Sequence, residues 1–452
     1  MGFIKKQYVL IMSNKPTKGS DQLLNAWAFY DWANSVYSLV IASAVFPIFY
    51  GALTIVKDDQ GIILSDTVKF LGYEFNNDTL ISFVTAAAFL VVSILTPILS
   101  GIADYMGNKK VFMKFFCYLG ALSCIGLFWF NMAYLWFGLL CYFLALIGFW
   151  ASLVFYNSYL PDIAFKEQQD AISAKGYSLG YIGSVILLLI CLVMILMFDT
   201  FGFESENLPT RLSFVLTGIW WIGFSQYTYY YLPDGNKKEK HTYHIVFNGF
   251  KELKFIWLKI KENKRLKRFL FAFFVYSMAV QTIMLVATYF GIEELEWGET
   301  DPTAGLIVSV LLIQLVAVLG AIVTSKASVR YGNINVLIFL NFIWVFICAY
   351  AYTITSPNQF YITAAFVGLV MGGIQSLSRS TYSKLIPSNA IDTTSYFSFY
   401  DVSEKIGIVI GMLSYGYIAQ ITGSIRYAIL FFILFFVIGI FLLFRVPIKK
   451  SK

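Results

Sequence analysis

Residues 100–110, SGIADYMGNKK, form a short polar stretch between two long apolar runs. The run before it, residues 79–102, and the run after it, residues 111–131, each reach the length of about 20 residues that a helix needs to cross a bilayer core of about 30 Å. The turn between two such runs must lie outside the lipid, because hydrocarbon cannot satisfy its backbone polar groups. The stretch therefore predicts a hairpin of two membrane-spanning helices.

The composition of the whole chain is that of an integral membrane protein. Of its 452 residues, 58% are hydrophobic and only 13% are charged, whereas a soluble protein carries about 25% charged residues. The apolar runs are continuous and do not alternate over about ten residues, so they predict helices and not the strands of a barrel. We therefore expect an all-α polytopic membrane protein. Its twelve spans are predicted, with ends uncertain by about 2–4 residues, at residues 25–53, 79–102, 111–131, 134–160, 172–198, 212–232, 269–292, 303–325, 334–354, 359–386, 393–420 and 426–446.

Charged residues outside the spans predict the orientation, because cytoplasmic flanks collect lysine and arginine. Basic residues dominate the segments 1–24, 237–267 and 445–452, whereas acidic residues dominate the segments 58–78 and 293–301. Both termini are therefore expected on the cytoplasmic face of the cell membrane. The net charge of +7 follows from this asymmetry and needs no nucleic-acid partner to explain it.

The segment 233–268 is the only long polar interruption, and it divides the predicted spans six and six. The expected organisation is a cytoplasmic tail over 1–24, an N-terminal six-helix half over 25–232, a cytoplasmic linker over 233–268, a C-terminal six-helix half over 269–446 and a cytoplasmic tail over 447–452.

The linker carries apolar residues at helical spacing, namely Val246, Phe250, Leu253, Trp257 and Ile260, with lysines on the remaining face. This pattern predicts an amphipathic helix that lies in the cytoplasmic membrane interface and tethers the two halves. The sequence leaves open whether the helix is a simple tether or also forms a specific lipid-binding site.

No pattern in the sequence predicts a metal, a cofactor or a nucleotide. The only histidines, His241 and His244, have no third ligand nearby, and the five cysteines lie in apolar runs without a close pair. The chain contains neither a nucleotide-binding loop nor the interfacial acidic or histidine cluster of a membrane enzyme. Residues 1–24 lack the apolar core of a cleaved signal peptide. We expect a monomer that is neither an enzyme nor an ATP-driven pump.

Two landmarks recur in the two halves. Gly107-Asn108 after span 2 is matched by Gly332-Asn333 after span 8, and Pro161 after span 4 is matched by Pro387 after span 10, at offsets of 225 and 226 residues. Duplicated six-helix halves place a binding site between them, near the middle of the membrane.

With this layout, the chain resembles the major facilitator superfamily along its whole length. Residues 100–110 are similar to the superfamily's signature loop, G-x-L-A-D-R-x-G-R-K. Asp104, Gly107 and Lys109 match the loop, whereas Tyr105 and Asn108 replace its two arginines. The resemblance implies two pseudo-symmetric six-helix halves and a gating role for this loop.

Three further stretches resemble the vacuolar effluxer branch of the superfamily: YDWANS at residues 30–35, YLPD at 159–162 and Lys-Gly at 175–176. That branch is named for autophagy-related fungal proteins implicated in amino-acid export from the vacuole. The resemblance implies transport more firmly than it implies a cargo.

Span 1 carries an ionisable residue, Asp31, which costs roughly 2.5–3.5 kcal/mol in hydrocarbon and therefore marks a function or a buried pair. Asn34 lies one helical turn further on, so the two polar groups share a face, and Tyr30 is a candidate wall of the cavity. Asp31 either binds a proton or the cationic part of a solute, or pairs with Lys175 or Arg379.

Span 11 has the densest charge, because Asp401, Glu404 and Lys405 lie within one helical turn. Some of this charge must be paired inside the bundle. Arg379 either binds a carboxylate with both ends of its guanidinium group or extends toward the cytoplasm. Tyr177 is a further candidate for the cavity wall.

The resemblance implies that Asp104 docks at the cytoplasmic N-terminus of span 11, where the helix dipole favours an anion. The alternative is that Lys109 or Lys110 holds Asp104 within its own loop.

The sequence as a whole favours a secondary transporter or facilitator for a small polar solute, most plausibly an amino acid or a related zwitterion. Coupling to protons, as a symporter or an antiporter, stays open. The alternatives are multidrug or lipophilic efflux, and a receptor or scaffold that does not transport.

Overall fold

The computed structural model describes residues 16–57, 63–235, 245–298 and 302–447. Within them twelve long helices form the bundle. They are α1 Asp21–Thr54, α2 Asn77–Met106, α3 Lys109–Gly126, α4 Leu135–Ser158, α5 Gln169–Leu196, α6 Asn207–Tyr231, α7 Lys264–Glu293, α8 Pro302–Tyr331, α9 Asn333–Ala351, α10 Pro357–Leu385, α11 Thr393–Thr422 and α12 Ile425–Phe444.

Ten of these helices are long and apolar enough to cross a membrane. The other two are α6 and α11, and α11 carries Asp401, Glu404 and Lys405 within one turn. A charged helix is tolerated in a membrane protein when its charged face lies against protein. The polar content of α11 therefore indicates that one of its faces lies inside the bundle.

The helices form two six-helix halves, each with its own apolar core. One core is built mainly from residues of α1–α6 and the other mainly from residues of α7–α12, with a contribution from the linker helix. The halves meet where α2 and α4 pack on α11, and where α5 packs on α8 and α10. This is the twelve-helix, two-half architecture expected from the sequence.

Helix α1 is interrupted at its centre by a π-helical segment, Tyr37–Val45, which lies between two α-helical parts, Asp21–Val36 and Phe46–Thr54. Such segments are rare and occur frequently at functional sites. The sequence predicted one continuous span here, because periodicity does not distinguish a π-helical segment from an α-helix.

Two small antiparallel hairpins connect α1 to α2. Strand β1 (Val56–Lys57) pairs with β2 (Ile63–Ser65), and β3 (Thr67–Phe70) pairs with β4 (Tyr73–Asn76). The turn of the second hairpin has positive φ at Leu71 and Gly72, the backbone that a tight hairpin turn requires. We call this end of the bundle the hairpin side.

The opposite end carries the linker helix, Ile245–Glu262, and we call it the linker side. Both ends of the described chain lie here, since Gly19 bonds to Ile163 and Arg268 donates to the carbonyl of Arg445.

The repeated glycines have the same backbone conformation in the two halves. Gly107 has φ +67° between α2 and α3, and Gly332 has φ +80° between α8 and α9. Glycine adopts this left-handed region without steric cost, so both tight interhelical turns depend on it.

The linker helix packs on α2 through a face that coincides only in part with the apolar face expected to lie in the membrane interface. Gly249, Ile256 and Ile260 are buried, whereas the side chains of Phe250 and Trp257 are 51% and 40% exposed. The reason is a close backbone approach, since a Cβ added to Gly101 would lie 2.5 Å from the carbonyl oxygen of Gly249. Small residues allow such contacts between membrane helices, and the apolar period does not reveal them. His241 and His244 lie outside the described residues.

Replacing Gly101 with alanine is expected to loosen the linker helix, because the new Cβ would overlap the backbone of Gly249. We expect amide hydrogen exchange across Ile245–Glu262 to rise by about tenfold or more, since a factor of ten corresponds to about 1.4 kcal/mol of docking free energy. Gly223→Ala is the matched control, because a Cβ at Gly223 meets no atom within 4 Å. Equal exchange in the two variants would contradict the contact.

Candidate functional site

The two halves are joined near the linker side by a buried ion pair between Asp31 of α1 and Arg379 of α10. Both terminal nitrogens of the guanidinium group lie 3.1 Å from Oδ2 of Asp31. The hydroxyl of Tyr156 donates to the same oxygen at 2.8 Å. The two charged side chains are only 6% and 2% exposed, so the pair forms an almost fully desolvated bond between the halves.

Arg379 uses all five of its N–H donors. Besides Asp31, it donates to Oγ and the carbonyl oxygen of Ser173, both at 2.9 Å, and to Oδ1 of Asn157 at 3.3 Å. Its guanidinium group also lies 4.2 Å from the ring centroid of Tyr177 and 4.8 Å from that of Trp27. Arg379 therefore does not extend toward the aqueous side, which was one of the two sequence expectations.

Gly176 of α5 makes room for this pair, because a Cβ at this position would overlap Oδ2 of Asp31. The neighbouring Lys175 points elsewhere: it is exposed and donates to Oδ1 of Asn25 at 2.6 Å. Successive residues of an α-helix point about 100° apart. The expectation that Lys175 pairs with Asp31 is therefore wrong, although it falls on the residue next to the contact.

Tyr30 and Asn34 are buried close to this pair but do not line a described cavity. The ring of Tyr30 packs against Tyr156 at 4.9 Å between centroids. Asn34 is 1% exposed, and its Oδ1 accepts a hydrogen bond of 3.4 Å from Ser35. Both residues therefore shape the surroundings of the ion pair.

A second buried ion pair lies within α11, between Asp401 and Lys405. Thr96 of α2 donates to Oδ2 of Asp401 at 3.4 Å, and Nζ of Lys405 lies 4.5 Å from the ring centroid of Trp150 in α4. Two of the three charged residues of α11 thus face the other half of the protein and neutralise each other there.

Glu404 faces a different environment from the neighbouring pair. Nε2 of Gln281 in α7 donates to its carboxylate at 2.5 Å. Glu404 also borders a narrow central cavity of about 20 Å³, which is room for one or two water molecules. The residues that line it are Tyr177, Phe273, Tyr276, Ser277, Val280, Gln281, Ile374, Gln375, Ser378, Tyr400 and Glu404.

The polar groups of this cavity are ordered by bonds to one another. The hydroxyl of Tyr181 donates to Oε1 of Gln375 at 2.8 Å, and the hydroxyls of Tyr276 and Ser378 lie 2.7 Å apart. Gln281, Gln375 and Ser378 were not singled out from the sequence, because isolated amides and hydroxyls in apolar helices give no periodic signal.

The turn between α2 and α3 closes the linker side. Asp104 accepts backbone hydrogen bonds from Thr394 at 3.3 Å and from Ser395 at 2.6 Å, in the first turn of α11. A carboxylate at a helix N-terminus satisfies otherwise unpaired N–H groups and is favoured by the helix dipole.

The sequence left open that Lys109 or Lys110 holds Asp104 within its own loop. The structure shows both lysines bound to other residues. Lys109 donates to Oδ2 of Asp162 at 2.5 Å and to Oγ1 of Thr393 at 3.0 Å. Lys110 donates to Oδ1 of Asp234 at 2.8 Å. Gly107 provides the backbone turn that brings these residues together.

A comparable contact joins Asp170, in the first turn of α5, to residues of the second half. Asp170 forms an ion pair with Lys384 of α10 and accepts hydrogen bonds from Asn333 at 2.8 Å and from Ser328 at 3.0 Å. Asp170 was not predicted. The repeated Gly-Asn landmark was the available signal, because Asn333 belongs to it.

These contacts define the linker-side latch, by which we mean the Asp31–Arg379 pair, Asp104 on α11 and Asp170 on α8, α9 and α10. Each of the three joins one half to the other near the linker side. The described residues contain no cluster of histidine, cysteine or acidic groups that could hold a metal ion. The three contacts hold the two halves together on this side of the bundle, beside the polar cavity.

Comparison with known proteins identifies the family. The model of a family described as "Vacuole effluxer Atg22 like" matches residues 19–452. An uncharacterized MFS-type transporter, YxiO of Bacillus subtilis (strain 168), is 34% identical over 439 residues, covering 94% of this chain and 95% of that protein. Autophagy-related protein 22 of Coccidioides immitis (strain RS) is 24% identical over 557 residues, covering 97% of this chain and 88% of that protein.

Solved structures show the same fold at low identity. The major facilitator superfamily transporter FucP, in the outward conformation, matches with a TM-score of 0.65 and 14% identity, covering 94% of this chain and 98% of that chain. The proton:xylose symporter XylE, bound to 6-bromo-6-deoxy-D-glucose, matches with a TM-score of 0.67 and 11% identity, covering 94% of this chain and 95% of that chain. This chain belongs to the Atg22-like vacuole effluxer family, within the major facilitator superfamily.

Neutralising Asp31 is expected to weaken the linker-side latch, because Arg379 would keep a buried charge without its counterion, a loss worth about 3–5 kcal/mol. The measurement is maleimide labelling, in nanodiscs, of a cysteine introduced by Ser376→Cys, a position that is 2% exposed and close to Ser173. We expect Asp31→Asn to accelerate labelling by about tenfold or more, which needs only about 1.4 kcal/mol of that loss.

The control for this experiment is Glu294→Gln, which breaks the Glu294–Arg426 ion pair within the C-terminal half and leaves the contacts between the halves in place. The five native cysteines are buried, so background labelling is low. Equal labelling in Asp31→Asn and the control would contradict the latch.

Glu252 makes the docking of the linker helix depend on pH. Partial burial and the neighbouring carboxylates of Asp392 and Asp104 raise the pKa of Glu252 to about 7, against a smaller opposing effect of Lys259. The docked helix therefore favours the protonated carboxyl group. Its contribution to docking is complete below the ordinary pKa of glutamate and is lost as the pH rises through about 7.

We expect the linker helix to be better protected from hydrogen exchange at pH 6 than at pH 8, after correction for the intrinsic exchange rates. Glu252→Gln should remove this difference, because the amide is neutral throughout. Glu262→Gln, an exposed position at the end of the same helix, is the control that should retain it. A pH dependence that survives in Glu252→Gln would assign it to another group.

Proposed function

We propose that the solute carried by this transporter is an amino acid or a related zwitterion, and that Glu404 binds its ammonium group. The observation that supports this proposal is the position of Glu404 at the central cavity. In the described part of the chain no lysine or arginine forms a salt bridge with Glu404, whereas Asp31 and Asp401 are each paired with a basic side chain. Glu404 is thus the acidic group of the cavity that remains available to a cation.

The surroundings of Glu404 suit a small polar molecule. Tyr177, Tyr276 and Tyr400 offer hydroxyl groups and aromatic faces, and Gln281 and Gln375 offer amides that donate and accept. Aromatic faces attract cations, and amides can bind the carboxylate of a zwitterion. A multidrug transporter would need a mainly apolar cavity, so the amides, hydroxyls and carboxylate of this lining favour the zwitterion.

Coupling follows from the cost of moving a charge through a low-dielectric interior. An unpaired carboxylate is strongly disfavoured there, so Glu404 must be neutralised whenever the protein changes conformation. A solute ammonium group and a proton are alternative ways to neutralise it. In this proposal the two compete for Glu404, and the protein exchanges solute for protons as an antiporter.

The same proposal gives Asp31, Arg379 and Asp104 a gating role. The linker-side latch holds the cavity closed on that side, and the latch must open for solute to leave there. Lys175 and Tyr30 have no direct part, whereas Tyr177 lies between Arg379 and the cavity and connects the gate to the solute site.

We further propose that the linker side faces the cytoplasm of a cell membrane. Residues 245–268 contain eight basic and two acidic residues, which is the bias of a cytoplasmic segment. The boundaries of the halves at 25–232 and 269–446 belong to this proposal, as does a monomeric transporter.

Glu404→Gln is expected to lower solute flux in proteoliposomes at least about tenfold, because the amide loses the charge that attracts an ammonium group, and hydrogen bonds to charged groups contribute about 1.5–3 kcal/mol. The remaining flux should no longer change between pH 6 and pH 8. Substrates for this assay come from a thermal-shift screen of amino acids, peptides, sugars and nucleosides at both pH values.

Glu294→Gln is again the control, since it removes a carboxylate that does not line the central cavity. Normal, pH-dependent flux in Glu404→Gln would contradict the proposal that Glu404 binds the solute and couples its transport to protons. Stabilisation by sugars or nucleosides alone would overturn the proposed solute class. If no solute stabilises the protein and a protein partner copurifies with it, the receptor or scaffold interpretation takes its place.

A further inference from the structure

A second and much larger cavity lies on the outer surface of the bundle. It is a groove of about 660 Å³ between the linker helix, α7 and α11, within the range of about 300–1,000 Å³ that is typical of small-molecule sites. The residues that line it are Trp257, Ile260, Lys267, Leu270, Phe271, Phe274, Phe399, Val402, Ser403 and Ile406. Glu404 and the lining of the central cavity do not contribute to it.

The lining has the chemistry of a site for an amphiphile. Eight of the ten side chains are apolar, and the two exceptions are Ser403 and Lys267. The hydroxyl of Ser403 donates to the carbonyl oxygen of Phe399 within its own helix, so its hydrogen does not need an acceptor on a ligand. Lys267 is therefore the charged group that the groove presents, and it favours an anion.

The groove begins at the linker-side end of α7 and extends along that helix. Lys267 is in the first turn of α7, which begins at Lys264, and Phe274 is seven residues further along, about 10 Å deeper at 1.5 Å per residue. A molecule with its anionic group at Lys267 would therefore place a hydrocarbon chain beside Phe274 and Ile406, in the apolar part of the groove.

The charge around the groove supports one class of occupant. Residues 245–268 carry eight basic and two acidic residues, and Nζ of Lys261 lies 5.2 Å from the ring centroid of Trp257, a wall of the groove. Lys261 and Lys267 thus provide positive charge at its headgroup end. Clusters of lysine next to membrane helices attract anionic lipids.

We propose that an anionic phospholipid occupies this groove, with its phosphate at Lys261 and Lys267 and one acyl chain between α7 and α11. The lipid contacts the linker helix and α11 at once, next to the ring of Trp257, which stacks on Phe399 at 5.4 Å between centroids. Because the groove is lined by both the linker helix and α11, the lipid stabilises the docked linker helix beside the linker-side latch. This proposal does not depend on the solute or on Glu404.

The test compares phosphatidylglycerol with phosphatidylcholine on the delipidated full-length protein, by thermal shift and native mass spectrometry. We expect phosphatidylglycerol to bind and to raise the melting temperature, and phosphatidylcholine to bind more weakly. The double variant Lys261→Gln/Lys267→Gln should lose roughly 30-fold in affinity for phosphatidylglycerol, from the expected contribution of two lysines near a membrane surface. Lys326→Gln, an exposed lysine near the linker-side end of α8, is the matched control.

A second variant tests the acyl-chain part of the site without changing its charge. Ser403→Trp fills the groove and should abolish binding of phosphatidylglycerol while Lys261 and Lys267 remain. Equal affinity of the double variant and the Lys326→Gln control, or equal shifts with phosphatidylcholine, would overturn the anionic headgroup. An equal shift with inorganic phosphate would replace the lipid by a free anion. A dimer that Ser403→Trp disrupts would assign the groove to a second copy of the chain.

Discussion

The buried ion pair between Asp31 and Arg379 is the interaction on which the closed arrangement of this transporter depends. It joins α1 to α10 across the boundary between the halves, and both side chains are almost fully desolvated. Removing charges from water is costly, and their attraction compensates only when the remaining donors and acceptors are also satisfied. Ser173 and Asn157 accept from Arg379, and Tyr156 donates to Asp31, so several helices must be correctly placed before the pair is stable.

The two pseudo-symmetric contacts beside this pair use the same chemistry in different ways. On one side Asp104, in the last turn of α2, binds free backbone N–H groups at the start of α11. On the other side Asp170, at the start of α5, binds side chains of Asn333 and Lys384. The duplicated halves thus keep the geometry of the closure, with Gly107 and Gly332 in the same backbone conformation, while the residues that form the bonds have changed.

The sequence was sufficient for the membrane class, the twelve helices and the division into halves, because apolar length and charge bias act locally along the chain. It was not sufficient to predict which charged side chains form ion pairs. Asp31 could be assigned to Lys175 or to Arg379, and only the rotation of α5 decides that Gly176, and not Lys175, faces the carboxylate. The face of the linker helix that packs on α2 could not be derived from the apolar period for a similar reason, since it depends on a close contact between two glycines. Gln281 and Gln375 gave no signal until packing placed them beside Glu404.

The π-helical segment of α1 has a mechanical consequence. Backbone hydrogen bonds in a π-helix join residues five apart, and those in an α-helix join residues four apart. Gaining or losing one residue in the π-helical segment therefore rotates the rest of the helix by about 100° about its axis. Tyr37–Val45 begins just after the buried pair and ends before Phe46–Thr54 on the hairpin side. A one-residue change in the length of this segment would therefore rotate Phe46–Thr54 relative to Asp21–Val36, which carries the buried Asp31.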